Sequence, residues 1–165
     1  MRRVRLEALV PNADAGTVFE RISDFPRYAD YTDAVREVRV GQVDGKLVSS
    51  SWSVNFRNGV LCWSERDRID ADALRIDFEQ TDGDFDRFDG AWQVARVGED
   101  VTVVFVAEFD LGMPSLAAII DPIAERALRD TMIAIMRGLL GQDIVFLSDT
   151  PDLATPAPRT NPTRS

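Results

Sequence analysis

Two acidic residues spaced two apart are the strongest candidates for chemistry in this chain. Glu65 and Asp67 lie in a strand-like run at about 60–69. Residues two apart on a strand point to the same side, at Cα steps of roughly 6.6 Å, so both acids share a face with Leu61 and Trp63. If that face turns to an apolar interior, the two like charges raise one pKa and leave a protonated acid beside an ionised base. Such a pair could abstract a proton between two carbonyls and dehydrate an aldol.

The same segment permits two other interpretations. Arg66 lies on the opposite face, and a one-residue bulge would turn it inward and leave the acids in solvent. Alternatively, Glu65 and Asp67 pair with arginines of a neighbouring strand and have only a structural role. The sequence leaves all three open.

The composition excludes several function classes. The chain has 28 acidic and 19 basic residues, a net charge of −9, no histidine and one cysteine, Cys62. An acidic surface repels nucleic acids and anionic headgroups, so we expect neither as a partner. Without histidine, the commonest general base and metal ligand is missing. A single cysteine forms no internal disulfide, and the longest apolar run, 116–120, is too short to span a bilayer, so we expect a cytoplasmic protein.

Metal and cofactor motifs are weak or missing. The acidic run at 82–89 resembles a calcium loop, but Arg87 and Gln93 occupy the positions where an EF-hand needs Gly and Glu. No glycine-rich phosphate loop is present. We therefore expect no metal and no cofactor.

The pattern of elements favours an α+β fold. An alternating strand reaches Val10, and Asn12 is a candidate N-cap for a short helix. Asp121 and Pro122 mark the start of a long helix that we expect to run to about Leu147. Six strand-like runs joined by turn residues predict an antiparallel meander gripping that helix, at about 34–43, 46–56, 60–69, 74–81, 87–97 and 101–111. We expect one domain over residues 1–148 and a disordered, proline-rich tail over 149–165.

Several segments resemble a known family. They are 10–28, 62–67, 90–92, 107–110 and the long final helix. Across roughly residues 3–145 the chain resembles the START-like, Bet v 1-like polyketide cyclase/dehydrase proteins, and also the coenzyme-Q-binding START-like proteins. The resemblance implies a helix-grip fold, in which a curved seven-stranded antiparallel sheet surrounds the helix and encloses a deep apolar cavity. It also implies one of two activities, either polyketide ring closure or non-catalytic binding of a lipid or quinone.

The resemblance also indicates where the reacting groups of this family would lie. Glu65 stands at a family serine, Asp67 at a cavity arginine, Ala107 at a pocket histidine, and Thr131 at a helix Asn or Asp. Since all four are substituted, Glu65, Asp67, Arg66 or Thr131 must carry any catalysis. The expected ligand contacts, each of which has an ordinary core or surface role as its alternative, are Trp63, Trp92, Tyr28, Tyr31, Phe78, Phe105, Ile123 and Ala127.

We therefore expect a cofactor-independent cyclase that binds a poly-β-ketone or related hydrophobic intermediate of secondary metabolism. The alternative is a non-catalytic lipid or quinone carrier. An acyl carrier protein is a conceivable partner, but two acidic proteins repel each other unless a local basic patch intervenes, such as Arg126 with Arg129 or the arginines at 2, 3 and 5.

Overall fold

A computed structural model describes residues 2–56, 59–112 and 117–148, except for the side chains of 117–121 and 148. The predicted tail lies outside the described residues. The elements, in chain order, are β1 (Arg2–Val10), α1 (Ala15–Ser23), a 3₁₀ turn (Phe25–Arg27), α2 (Tyr28–Tyr31), β2 (Val35–Asp44), β3 (Leu47–Phe56), β4 (Gly59–Asp70), β5 (Arg75–Gly83), β6 (Arg87–Val97), β7 (Asp100–Asp110), α3 (Ala117–Leu140) and β8 (Val145–Ser148).

The strands form one antiparallel sheet in the order β2-β3-β4-β5-β6-β7-β1-β8. Strands β2 to β7 follow one another as the predicted meander, and β1 pairs along β7 with Arg2 opposite Phe109 and Val10 opposite Val101. The side chains of β1 and β7 alternate between buried and more exposed positions, so one face of each strand packs into the core. The α+β helix-grip architecture is thus confirmed, with one strand more than the seven expected.

The eighth strand occupies a segment that the sequence predicted as helix. The long helix α3 ends at Leu140, and Gly141 follows with φ of 113°, a conformation that favours glycine. The chain then turns back and pairs with β1, with Phe146 opposite Ala8. The prediction of a helix to about Leu147 is therefore wrong.

The start of α3 and its buried face also differ from the prediction. The helix begins at Ala117, so Asp121 is not its N-cap and Pro122 lies inside it, where it forgoes one backbone hydrogen bond. The expected ligand contacts Ile123 and Ala127 each lie one residue before a buried position, Ala124 and Leu128, and Ile123 is 45% exposed. The side chains that pack inward are Ala124, Leu128, Met132, Ile135, Met136 and Leu139.

The first helix also starts later than predicted. Its N-cap is Asp14, whose Oδ2 accepts a hydrogen bond from the Thr17 amide at 2.9 Å, whereas Asn12 lies in the preceding turn with φ of 50°. The Thr17 hydrogen bonds lower the pKa of the Asp14 carboxyl. The cap sets the residue at which α1 begins after the turn that follows β1.

A glycine lets α2 lie directly against α3. A Cβ at Gly138 would clash with the carbonyl oxygen of Tyr31, the last residue of α2, so no larger residue fits there. This close approach holds α2 over the concave face of the sheet. Tyr28, the buried first residue of α2, contacts the Trp52 ring of β3, with ring centroids 5.2 Å apart.

Candidate active site

A small cavity lies between the concave face of the sheet and helix α3. Its volume is about 50 Å³, well below the roughly 300–1,000 Å³ of a typical ligand pocket. The deep apolar cavity expected from the resemblance is therefore small, and it has a polar end. Its lining residues are Phe25, Tyr28, Trp52, Val54, Trp63, Glu65, Asp67, Ile76, Phe78, Phe88, Trp92, Phe105, Leu128, Thr131, Met132 and Ile135.

Strand β4 directs both acids inward. Glu65 is 5% exposed and Asp67 is fully buried. The bulge considered for β4 lies instead in β5: Ser64 pairs with Asp82 and Glu65 with Gln80, which leaves Thr81 as the extra residue. Because β4 keeps its alternation, Trp63, Glu65 and Asp67 share the cavity face.

The inward orientation considered for Arg66 is wrong. Its side chain is 60% exposed on the outer face of the sheet, 4.0 Å from the carboxylate of Glu79 on β5. The physical reason is the unbroken alternation of β4, which turns a residue between two inward acids outward.

A hydrogen-bonded chain from β3 holds Asp67. The Ser50 hydroxyl donates to Asp67 Oδ2 at 2.6 Å, and it accepts a hydrogen bond from the Trp52 indole N–H at 2.9 Å. Ser50 is only 2% exposed and lies opposite Glu65 in the strand register. Since the indole occupies a lone pair of the hydroxyl, the single Ser50 proton is directed to Asp67.

A second indole holds Glu65. The Trp63 N–H donates to Glu65 Oε1 at 2.7 Å. Trp63 pairs with Trp52 across β3 and β4, and the two rings are stacked, with centroids 6.0 Å apart and an angle of 2° between their planes. Each carboxyl group is thus linked to one of two parallel indoles, Glu65 directly and Asp67 through Ser50.

Burial changes the protonation of the pair. Loss of hydration raises the pKa of Glu65 well above its usual range, and the neighbouring Asp67 carboxyl raises it further. Burial also raises the pKa of Asp67, but hydrogen bonds from Glu65 and Ser50 oppose that effect. Oδ1 of Asp67 has no hydrogen-bond donor among the described residues unless Glu65 carries a proton. The favoured state is therefore protonated Glu65 beside ionised Asp67.

A tyrosine closes the polar end of the cavity. Burial raises the pKa of Tyr28, and the nearby carboxyl groups of Glu65 and Asp67 raise it further, so the Tyr28 hydroxyl stays neutral. Its hydroxyl donates to the carbonyl of Ile22. The predicted hydrogen bond from Tyr28 to a ligand would therefore have to replace this internal one.

The structure brings together most of the predicted ligand contacts. Trp63, Trp92, Phe78, Phe105, Tyr28 and Thr131 line the cavity with the two acids. Tyr31 does not line it, because its ring lies 5.4 Å from the Arg21 guanidinium and 5.7 Å from that of Arg27. Ile123 and Ala127 do not line it either, because the buried face of α3 is displaced by one residue. These three assignments are wrong for the cavity wall.

Sequence reasoning missed Ser50 as a partner of the acids. Its signal is the spacing of Ser50 and Trp52, which matches that of Trp63 and Glu65 on the adjacent strand. The two patterns form one network only because the β3–β4 register places Trp52 opposite Trp63. Eight further residues complete the wall, and none is among the expected ligand contacts: Phe25, Trp52, Val54, Ile76, Phe88, Leu128, Met132 and Ile135.

Neither a metal cluster nor a membrane helix occurs in the described part of the chain. Among residues 2–56, 59–112 and 117–148, no group of three or more Cys, Asp or Glu side chains could hold a metal ion. No helix within those ranges is long and apolar enough to cross a membrane.

Comparison with known proteins agrees with this architecture. A profile described as "Polyketide cyclase / dehydrase and lipid transport" matches residues 11–136. The chain belongs to this family. No curated protein matches the chain.

Solved structures share the fold of this family member. A protein from Thermus thermophilus is 25% identical, with a TM-score of 0.78 over 83% of this chain and 93% of that one. The Zhui aromatase/cyclase of Streptomyces sp. R1128 is 18% identical, with a TM-score of 0.74 over 86% and 92%. A START superfamily protein of Mycobacterium smegmatis is 14% identical, with a TM-score of 0.73 over 86% and 97%. At these identities the last two establish the fold alone.

Proposed function

We propose that this protein is a cofactor-independent acid–base enzyme of the polyketide cyclase kind. It catalyses the ring closure of a hydrophobic carbonyl compound and the loss of water that follows. The observation that carries the proposal is the buried Glu65–Asp67 pair at the polar end of an otherwise apolar cavity. Burying carboxyl groups costs several kcal/mol per charge, and no basic side chain is among the lining residues that the structure describes. Perturbed acids in a cleft are typical of catalytic sites.

Both acids line the cavity, and Glu65 is the more accessible of the two, at 5% exposed against 0% for Asp67. In the proposed resting state Glu65 carries the proton and Asp67 the negative charge. A ligand carbonyl oxygen takes the Glu65 proton while the pair removes a proton from the adjacent carbon. The ketone becomes an enol, and the proton count of the pair is unchanged.

Ring closure follows from the same two groups. The enol carbon attacks a second carbonyl of the same molecule, that oxygen takes a proton from Glu65, and the enol hydroxyl returns its proton to the pair. Loss of water then requires a proton from carbon and a proton on the departing hydroxyl, and the pair exchanges both. Thr131, on the α3 side of the cavity, is proposed to hydrogen-bond the ligand.

Heptane-2,6-dione provides a direct assay, because its ring closure and dehydration give an enone with ultraviolet absorbance. We expect Glu65→Gln and Asp67→Asn each to lower the rate by about 100-fold or more, the usual contribution of a positioned acid or base. Glu79→Gln, on the outer face of β5, is the matched control and should retain the wild-type rate. Wild-type rates in both cavity variants, or no turnover by the wild-type protein, would contradict the proposal.

A non-catalytic lipid or quinone carrier is the second candidate. The lining, apolar apart from Tyr28, Thr131 and the two acids, favours it, and so does the family description. The small volume disfavours a long acyl chain. Native mass spectrometry of the freshly purified protein tests this alternative, since a co-purified lipid or quinone would favour the carrier over the enzyme.

A further inference from the structure

The negative charge inside the cavity has no counter-charge. Among the described lining residues the titratable groups are Tyr28 on α2 and the two acids on β4; α3 contributes none, and no lining residue is basic. With the proton on Glu65 and Tyr28 neutral, the pair carries one net negative charge, located on Asp67. An ion pair or hydrogen-bond partner is the usual condition for such a buried charge.

Asp67 has room for one more partner. Its side chain is fully buried, Ser50 satisfies Oδ2, and Oδ1 lacks a donor apart from a proton on Glu65. A protonated amine in the cavity would donate hydrogen bonds to this carboxyl pair. Charge-assisted hydrogen bonds of that kind are roughly twice as strong as neutral ones.

The wall beside the acids is aromatic. Trp52 and Trp63, the indoles linked to the two acids, present parallel rings, and the Tyr28 ring lies edge-on to Trp52 with centroids 5.2 Å apart. The faces of aromatic rings attract cations, most strongly for tryptophan, and the attraction grows when the cation is desolvated. The carboxyl groups and the aromatic faces therefore both favour a positively charged ligand.

We propose that the cavity binds a compact organic ammonium ion, whose charge is matched by the Glu65–Asp67 pair and whose hydrocarbon part lies against Trp52 and Trp63. A volume of about 50 Å³, where one water needs roughly 10–15 Å³, favours a compact ligand. This inference goes beyond the proposed function, because it concerns binding and requires no reaction.

Three probes of similar shape test the charge preference. Isobutylamine, isobutanol and isobutyrate are a cation, a neutral molecule and an anion at neutral pH. All three tryptophans of the chain line the cavity, so intrinsic fluorescence reports on its occupancy. We expect isobutylamine to bind about tenfold or more tightly than isobutanol, and isobutyrate to bind weakest.

Variants assign the preference to the pair. In Asp67→Asn, isobutylamine should bind no more tightly than isobutanol, whereas Glu79→Gln should keep the wild-type order. The proposal is overturned if isobutyrate binds as tightly as isobutylamine, if isobutylamine does not bind, or if its advantage persists in a folded Asp67→Asn protein. Should that variant not fold, the order measured for the wild-type protein decides.

The outcomes separate this inference from the proposed function. Turnover of heptane-2,6-dione that depends on Asp67, without selective binding of isobutylamine, would overturn the ammonium site and leave the acid–base enzyme standing. Selective binding of isobutylamine without turnover of heptane-2,6-dione would overturn the acid–base enzyme and leave the ammonium site standing.

Discussion

The two faces of the β3–β4–β5 region carry the same kinds of side chain in opposite environments. On the outer face, Asp77 lies 2.9 Å from Arg75, and both side chains are nearly half exposed. On the inner face, Glu65 and Asp67 are buried and face each other without a cation among the described lining residues. Exposed ion pairs contribute only about 0–1 kcal/mol, whereas a buried unpaired charge costs several.

The comparison shows that residue type alone does not identify the reactive acids. The outer Asp77 forms an exposed ion pair with Arg75, while burial raises the pKa of Glu65 well above its usual range. The inner acids also have neutral hydrogen-bond donors, the Trp63 indole and the Ser50 hydroxyl, in place of arginines. Such donors stabilise a carboxylate without removing its ability to exchange a proton with a ligand.

The largest expected difference between the faces is in stability. Trp52→Ala removes a buried ring that contacts the rings of Phe25, Tyr28 and Trp63. We expect a loss of about 3–5 kcal/mol in the free energy of unfolding, measured by urea denaturation. Ser51→Ala, one position away on the outer face, should change it by less than about 0.5 kcal/mol. Similar losses in both variants would contradict the comparison.

The next difference is a loss of stability with rising pH, which the buried acids of the inner face provide. Because the pKa of Glu65 is raised in the folded protein, the folded state binds more protons than the unfolded state above the ordinary pKa of a glutamic acid. Stability should therefore fall as pH rises from about 4.5 towards the folded pKa, by at most about 1.4 kcal/mol per pH unit. At the low-pH end of this range, where the protein is most stable, Glu65 should be protonated.

Paired variants isolate this contribution. Glu65→Gln removes the Glu65 contribution and leaves that of the raised pKa of Asp67, so the free energy of unfolding of the variant relative to wild type should rise with pH. In Glu79→Gln the free energy of unfolding should depend on pH as it does in the wild-type protein. Urea denaturation at several pH values measures both, and equal slopes in wild type and Glu65→Gln would exclude a raised pKa of Glu65.

How much the sequence predicted depends on the range of the interactions involved. The alternation of β4 is local, and it placed Glu65 and Asp67 correctly on one face with Trp63. The end of α3 was mispredicted because residues 145–148 gain more from pairing with β1 than from extending the helix past Gly141. Ser50 was missed because its role needs the register of two strands, and Ile123 because a small rotation of α3 decides which face is buried.

The Ser50 hydroxyl gives a third, smaller prediction. Ser50→Ala removes the hydrogen bond to Asp67 and leaves the Trp52 N–H without its acceptor. We expect a loss of about 1.5–3 kcal/mol in stability, the range for a hydrogen bond to a charged group. The pKa of Asp67 should rise, because Ser50 lowers it in the wild-type protein. Carboxyl ¹³C NMR titration measures the change, and Ser50→Thr, which keeps the hydroxyl, should restore it.

The smallest expected effect belongs to the outer arginine, and it tests whether strand alternation assigns function correctly. Arg66 is solvent-exposed and 4.0 Å from Glu79, so Arg66→Ala should cost no more than about 1 kcal/mol of stability. Its rate with heptane-2,6-dione should equal that of the wild-type protein, because its guanidinium points away from the cavity. A large loss of rate in a folded Arg66→Ala protein would mean that β4 changes register when a ligand binds, and that the arginine, rather than the acid pair, acts on the ligand.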